Sequence, residues 1–338
     1  MPVEYKIDVG GNYRQRIVWI DWAKAILIYL MVVGHCLPVE WQSTLIYAFH
    51  MPAFFIISGY LYHQHHWKKT VKTFVIPVAF FSMINMVIYT VPKVIKGSFS
   101  TGHLIERVLV PYWGPGSLAS DEYIILFPGV WFVIALLLGR LLMGDIKIMS
   151  WVSRFWKIVL IVLIVFLTIE PYLIPQNPLR IYKWYLVLPS LPFILMGYGM
   201  RNKIKQERIK PWMVFLFFML FIVVSLGYGR AEILNCKYGN YYLVYFLNAV
   251  IGSLVLFYVC HKFPRSHIIE IISKGTLLVM AFNFILHSYF TAFVRAIGFA
   301  TIANDRYFFP WVIALLIMII CYFPIKWLLR HYPVLLGK

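Results

Sequence analysis

The chain has 338 residues, 62% hydrophobic and only 13% charged, and its 31 Lys+Arg outweigh 13 Asp+Glu to give a formal charge of +18. Globular domains are about 25% charged and nucleic-acid binders gather cations on a charged surface, whereas here the cations are scattered between long apolar runs, which excludes a nucleic-acid partner. A mean hydropathy of +0.77 with 18% aromatic residues also excludes disorder and a soluble disulfide scaffold, and leaves an all-α polytopic membrane protein whose solvent is the lipid bilayer.

A helical span needs about 20 mostly apolar residues. Ten such runs occur in order, at 17–37, 44–63, 72–92, 124–143, 156–174, 184–200, 211–229, 241–261, 275–297 and 309–329. They are continuous rather than alternating, which predicts helices and not barrel strands. Residues 1–16 are polar and the first run is of membrane length, so no cleavable signal peptide is expected. Ten spans put both termini on one side. With cations near a run's end counted to the nearer side, that side holds 21 Lys+Arg against nine on the other, with Lys24 left inside the first run, and this asymmetry predicts cytoplasmic termini. The densest basic stretch, Arg201 to Lys210, falls on the same side. Opposite it lie two polar loops, 93–123 and 230–240, of a size that is more often functional than decorative. Cys36, Cys236, Cys260 and Cys321 have no metal-ligand spacing, so neither a disulfide nor a metal is expected. No internal repeat interrupts the pattern, and the chain is read as a single domain over 1–338, with 1–16 cytoplasmic and 93–123 extracytoplasmic.

The first run carries three ionisable groups in an apolar helix: Asp21, Lys24 and His35. Such groups are costly in lipid, so they are expected to face the protein interior and to be functional. Asp21 and Lys24 are three apart and can pair on one face. Lys24 and His35 are eleven apart, three turns plus about 20°, so they share a face some ~16 Å apart along the axis. The second run brings His50 near its outer end and Ser58-Gly59 at depth. That pair is either a hydroxyl in a site or a small-residue patch that packs against the first run.

These residues resemble a known family. Trp19-Ile20-Asp21-x-x-Lys24, Gly34-His35 and Phe49-His50-Met51-Pro52-x-Phe54-Phe55-x-x-Ser58-Gly59-Tyr60 resemble the acyltransferase-3 family of integral membrane acyltransferases, and most of all its fucose 4-O-acetylase-like branch. The spacing from Lys24 to His35 matches that family's Lys/Arg-to-His motif. Trp131-Phe132, Pro192-Phe193 to Gly197-Tyr198, and Ser273-x-Gly275-Thr276 extend the likeness over nearly the whole chain. One position departs from it. Many members have a histidine eight residues after the glycine of the last element; here that position is Asn283, and His287 lies one turn further on the same face.

The resemblance implies a membrane O-acetyltransferase of the bacterial inner membrane. It would use cytoplasmic acetyl-CoA as co-substrate, with no bound cofactor. The acceptor would be a sugar hydroxyl of a cell-surface polysaccharide or its lipid-linked precursor, such as O-antigen or exopolysaccharide. A sugar hydroxyl needs a base within hydrogen-bond reach, and histidine titrates near neutrality, so His35 is expected as base or transient acyl carrier. Lys24, with Asp21 offsetting the cost of its burial, would attract the donor's phosphates or stabilise charge along the acyl path. Lys68, Lys69 and Lys72 are placed to help hold CoA, and Ser58 to donate to the thioester oxygen. His50, Trp131 and His287 fall to the acceptor, with His103, Tyr112 and Trp113 of the 93–123 loop stacking on or covering the sugar. Other readings stay open: a transporter or flippase of lipid-linked sugars, for which no internal repeat is found, a non-catalytic membrane partner, and an acyltransferase with a non-glycan acceptor.

Overall fold

The computed structural model describes residues 5–7, 13–63, 67–95, 127, 129–144, 146–174, 177–201 and 210–338. A short antiparallel ribbon, β1 (Tyr5–Ile7) and β2 (Tyr13–Gln15), precedes the helices. The helices are α1 (Val18–Cys36), α2 (Trp41–Tyr60), α3 (Trp67–Ile95), α4 (Val130–Gly144), α5 (Ile146–Leu173), α6 (Val187–Met200) and α7 (Pro211–Tyr228). They continue with α8 (Tyr242–Cys260), α9 (His267–Lys274), α10 (Thr276–Ala296), α11 (Ala300–Ala303) and α12 (Phe309–His331).

Each of the ten apolar runs contains a helix. Among the described residues, seven helices are long and apolar enough to cross a membrane: α1, α3, α5, α7, α8, α10 and α12. The other three runs hold α2, α4 and α6. The last two are short, at 15 and 14 residues, and α2 is diluted by Gln42, Ser43, Thr44, His50 and Ser58. Where the sequence predicts a loop before residue 156, α5 already starts at Ile146 and bends at Phe155, whose φ of −118° and ψ of 16° are not helical. Helices α9 and α11 are too short to register as spans. Helix α3 takes in the first three residues of the predicted 93–123 loop; the rest of that loop, with His103, Tyr112 and Trp113, and most of the basic stretch after Arg201 lie outside the described residues.

The polarity of α2 follows from where it sits. It is flanked by α1, α6 and α8 and buries residues along most of its length, from Ser43 to Gly59. Its closest crossing is with α6. A Cβ at Gly59 would strike the Ile194 carbonyl, and one at Gly197 would strike the Ile56 carbonyl, so each glycine admits the other helix's backbone. The small-residue patch foreseen at Ser58-Gly59 therefore serves α6, not the first helix. Helix α7 is the opposite case. Only Phe221 and Ser225 are buried, while Trp212, Phe215, Leu216 and Val223 are exposed. An apolar surface on that scale belongs against lipid.

Candidate active site

The N-terminal end of α1 meets α9 through a charge network. Arg16 Nε donates to Asp21 Oδ2 at 2.7 Å, and Arg16 Nη1 pairs with Glu270 Oε1 at 2.7 Å. Glu270 also takes Lys274 at 2.9 Å and Arg265 at 3.4 Å. Ser273 Oγ donates to the other Asp21 oxygen at 2.5 Å. Burial alone would raise the Glu270 carboxyl, but Lys274, Arg16 and Arg265 outweigh it and hold the group below the usual carboxylate range. The expected Asp21–Lys24 pair does not form. Arg16 lies just outside the helix, and its guanidinium reaches both carboxylates at once. Among the described residues, Lys24 has no ion-pair partner.

Lys24 instead faces a cavity. A space of about 730 Å³ opens beside this end of α1, with Arg16, Asp21, Lys24, Arg140, Lys274 and Lys338 in its wall. A narrower space of about 140 Å³ shares Lys24, Arg140, Ser273, Lys274 and Lys338, and continues past Phe54, Ile57 and Phe132 to Met280. Ser58 lines this inner part, and its Oγ accepts from Arg140 Nε at 3.0 Å. Burial, together with the nearby Arg140, Lys274 and Arg16, pushes the Lys338 ammonium below its ordinary range. Crowded cations with their neighbouring carboxylates already engaged make a site for a polyanion.

His35 sits toward the other end of α1, half-buried, with its ring stacked on Phe284 at 4.6 Å between centroids. Its Nδ1 lies 3.0 Å from Asn283 Oδ1. The amide of Asn283 is oriented in turn, because its Nδ2 donates to the Met280 carbonyl at 2.6 Å. An amide oxygen only accepts, so Nδ1 of His35 carries a proton, and in the neutral ring Nε2 keeps its lone pair. The same α10 segment thus ends the narrow cavity at Met280 and holds the imidazole one turn on. Four residues further, His287 lines a separate cavity of about 370 Å³, together with Cys36, Leu37, Arg295, Asn304 and Arg306. His35 and Asn283 therefore stand between a cation-walled space at one end of the bundle and a second space at the other.

The remaining predicted residues are placed less directly. His50 is buried, and its Nδ1 donates to the Ile46 carbonyl at 2.7 Å, with Tyr47 edge-on. Of the pair Trp131-Phe132, it is Phe132 that lines the narrow cavity, while Trp131 packs on the core. Lys68, Lys69 and Lys72 are exposed on the first turns of α3, and Thr70 and Thr73 of those turns face the cavities in their place. The cations that do line them include Arg140, Lys274 and Lys338, none of which the sequence singles out. Asn283 was singled out from the sequence only as a departure from the motif, with no role given to it; its contact with His35 supplies one.

Residues 17–331 match the family model described as an acyltransferase domain, that of the acyltransferase-3 family. No curated protein and no solved structure matches the chain. The chain belongs to the acyltransferase-3 family, as a multi-pass membrane acyltransferase.

Proposed function

We propose that this acyltransferase-3 member moves an acetyl group from cytoplasmic acetyl-CoA to a sugar hydroxyl of a cell-surface polysaccharide or its lipid-linked precursor, in a bacterial inner membrane crossed about ten times with both termini cytoplasmic. The observation that carries this reading is the His35–Asn283 pair, an imidazole whose Nδ1 is held by an amide oxygen between two cavities. The wide cavity suits the phosphates of CoA, where Lys24, Arg140 and Lys338 supply charge and Arg16 and Lys274 border them. The narrow cavity, apolar toward Met280, suits the pantetheine arm and thioester. His35 Nε2 takes the proton of the sugar hydroxyl as its oxygen attacks the thioester carbonyl. The C–S bond breaks, and the CoA thiolate takes the proton back from the imidazolium. Ser58, oriented by Arg140, is a donor at the donor end of this path.

The test is acetyl transfer from labelled acetyl-CoA to surface glycan, with membrane insertion checked separately. His35→Ala is expected to lose activity by about 10²- to 10⁴-fold; wild-type transfer in that variant ends the reading. Transfer in detergent also separates an acetyltransferase from a flippase, because transport needs a sealed membrane and acetyl transfer does not.

A further inference from the structure

The cavity of about 370 Å³ beyond His35 has a charge pattern that acetyl transfer to a neutral sugar does not require. It begins at Cys36 and Leu37, directly after His35, and includes His287, which is within electrostatic reach of His35. Its size is at the small end of ligand clefts, about 300–1,000 Å³.

Two arginines line it, Arg295 at the end of α10 and Arg306 before α12. Other arginines at this end of the bundle are neutralised: Arg180 by Glu170 at 2.5 Å, and Arg230 by Glu232 at 2.5 Å. Among the described residues, Arg295 donates only to the neutral Asn304 Oδ1, at 3.1 Å. Among the described residues, neither Arg295 nor Arg306 has a carboxylate within 4 Å. The one acid in the wall, Asp305, is already engaged. It accepts from the backbone N–H groups of Tyr307, Phe308 and Phe309 at 3.1, 3.0 and 3.0 Å, in the turn that leads into α12. Two guanidiniums that contact no carboxylate among the described residues therefore face one space that also presents an amide, a hydroxyl and an imidazole from Asn304, Thr291 and His287.

We infer that this cavity is the acceptor site and that the acceptor carries an oxyanion near the acetylated hydroxyl, a phosphoryl group or a sugar carboxylate, held by Arg295 and Arg306. This rests on the acetyltransferase reading and adds the acceptor's charge to it. Planar guanidiniums suit both anions because they can present paired donors. The neutral polar groups are left for the sugar hydroxyls.

The test is equilibrium binding, without turnover, of dodecyl glucosyl phosphate, dodecyl glucuronide and dodecyl glucoside to the full chain in nanodiscs of neutral or anionic lipid. At least one charged probe is expected to bind at least about tenfold more tightly than the glucoside. The better of the two charged probes identifies the source of the charge. The Arg295→Gln/Arg306→Gln double variant is expected to level the probes, and the Lys/Lys variant to keep part of the preference. Equal affinity for all three probes, strong or absent, overturns the inference, as does a preference that survives the double Gln variant. A preference set by the lipid charge rather than the probe charge also overturns it and assigns the arginines to bilayer headgroups. Because no transfer is involved, these failures are separate from failure of the acetyltransferase reading, which would show as intact charged-probe binding with no acetyl transfer.

Discussion

The two ends of the bundle manage charge differently. At the N-terminal end of α1, a wide cavity collects Lys24, Arg140, Lys274, Lys338 and Arg16, while Asp21 and Glu270 are drawn into pairs at its edge. At the other end, a smaller cavity holds two arginines among neutral polar groups, and its one acid is spent on a helix start. The difference teaches what each space can take. A cluster of cations with restrained lysines fits a ligand with several phosphates, whereas two exposed arginines with amide and hydroxyl neighbours fit one charge and a set of hydroxyls. Between them the chain places the oriented imidazole of His35.

That contrast can be sharpened or broken in order of expected effect. The largest belongs to the group between the cavities. Asn283→Ala frees both tautomers of His35 and is expected to lower kcat for acetyl transfer by about 10- to 100-fold with little change in KM for acetyl-CoA. A pure KM effect would mean that Asn283 only packs. Next is the cation-walled end. Lys24→Met is expected to raise KM for acetyl-CoA by about tenfold, and Lys24→Arg to restore part of it. Titration with adenosine 3′,5′-bisphosphate should report the same loss, and unchanged affinity there would take Lys24 out of the phosphate site. A smaller change is expected from Glu270→Gln. It releases Lys274 and Arg16 toward the cavity, so KM for acetyl-CoA should fall severalfold at low salt and lose that gain as salt screens the charges.

The smallest effect is a pH dependence at the other end. Asp305 accepts backbone N–H bonds at the start of α12, which hold its carboxyl below the usual range. A depressed folded-state value means that its stabilisation is fully present above about pH 4 and is lost as pH falls through the folded value. Thermal unfolding of the wild type and Asp305→Asn should therefore differ at neutral pH and converge under acid. A constant gap across that range would show that these bonds contribute no titrating stability.

How much of this was legible in the sequence depends on where the chemistry comes from. Lys24 and His35 stood out because both lie on one apolar helix, where a charge has no bland explanation and spacing alone gives the face. Asn283 was visible as a departure from the motif but carried no role, because a neutral amide suggests no chemistry by itself and only the distant His35 gives it a task. Arg140, Lys274 and Lys338 come from three separate parts of the chain, so no local pattern joins them. The pairing of Asp21 was misjudged because helix spacing favours Lys24 and carries no information about Arg16 outside the helix or Ser273 from α9. On the side of the fold, the long lipid-facing helices were plain from composition. The inner ones were recognised as runs, but their short lengths and polar residues make sense only once neighbours shield them from lipid.

The glycine crossing of α2 and α6 bears on biogenesis. Alone, α2 is a poor candidate for release into lipid, since its hydroxyls, imidazole and bare backbone face are designed for protein neighbours. The neighbour that closes on Gly59 does not exist until Gly197 has left the ribosome. The nascent chain must therefore shelter α2, beside α1 or within the insertion machinery, until the middle of the protein arrives, and the site assembles only after that delayed partner is in place.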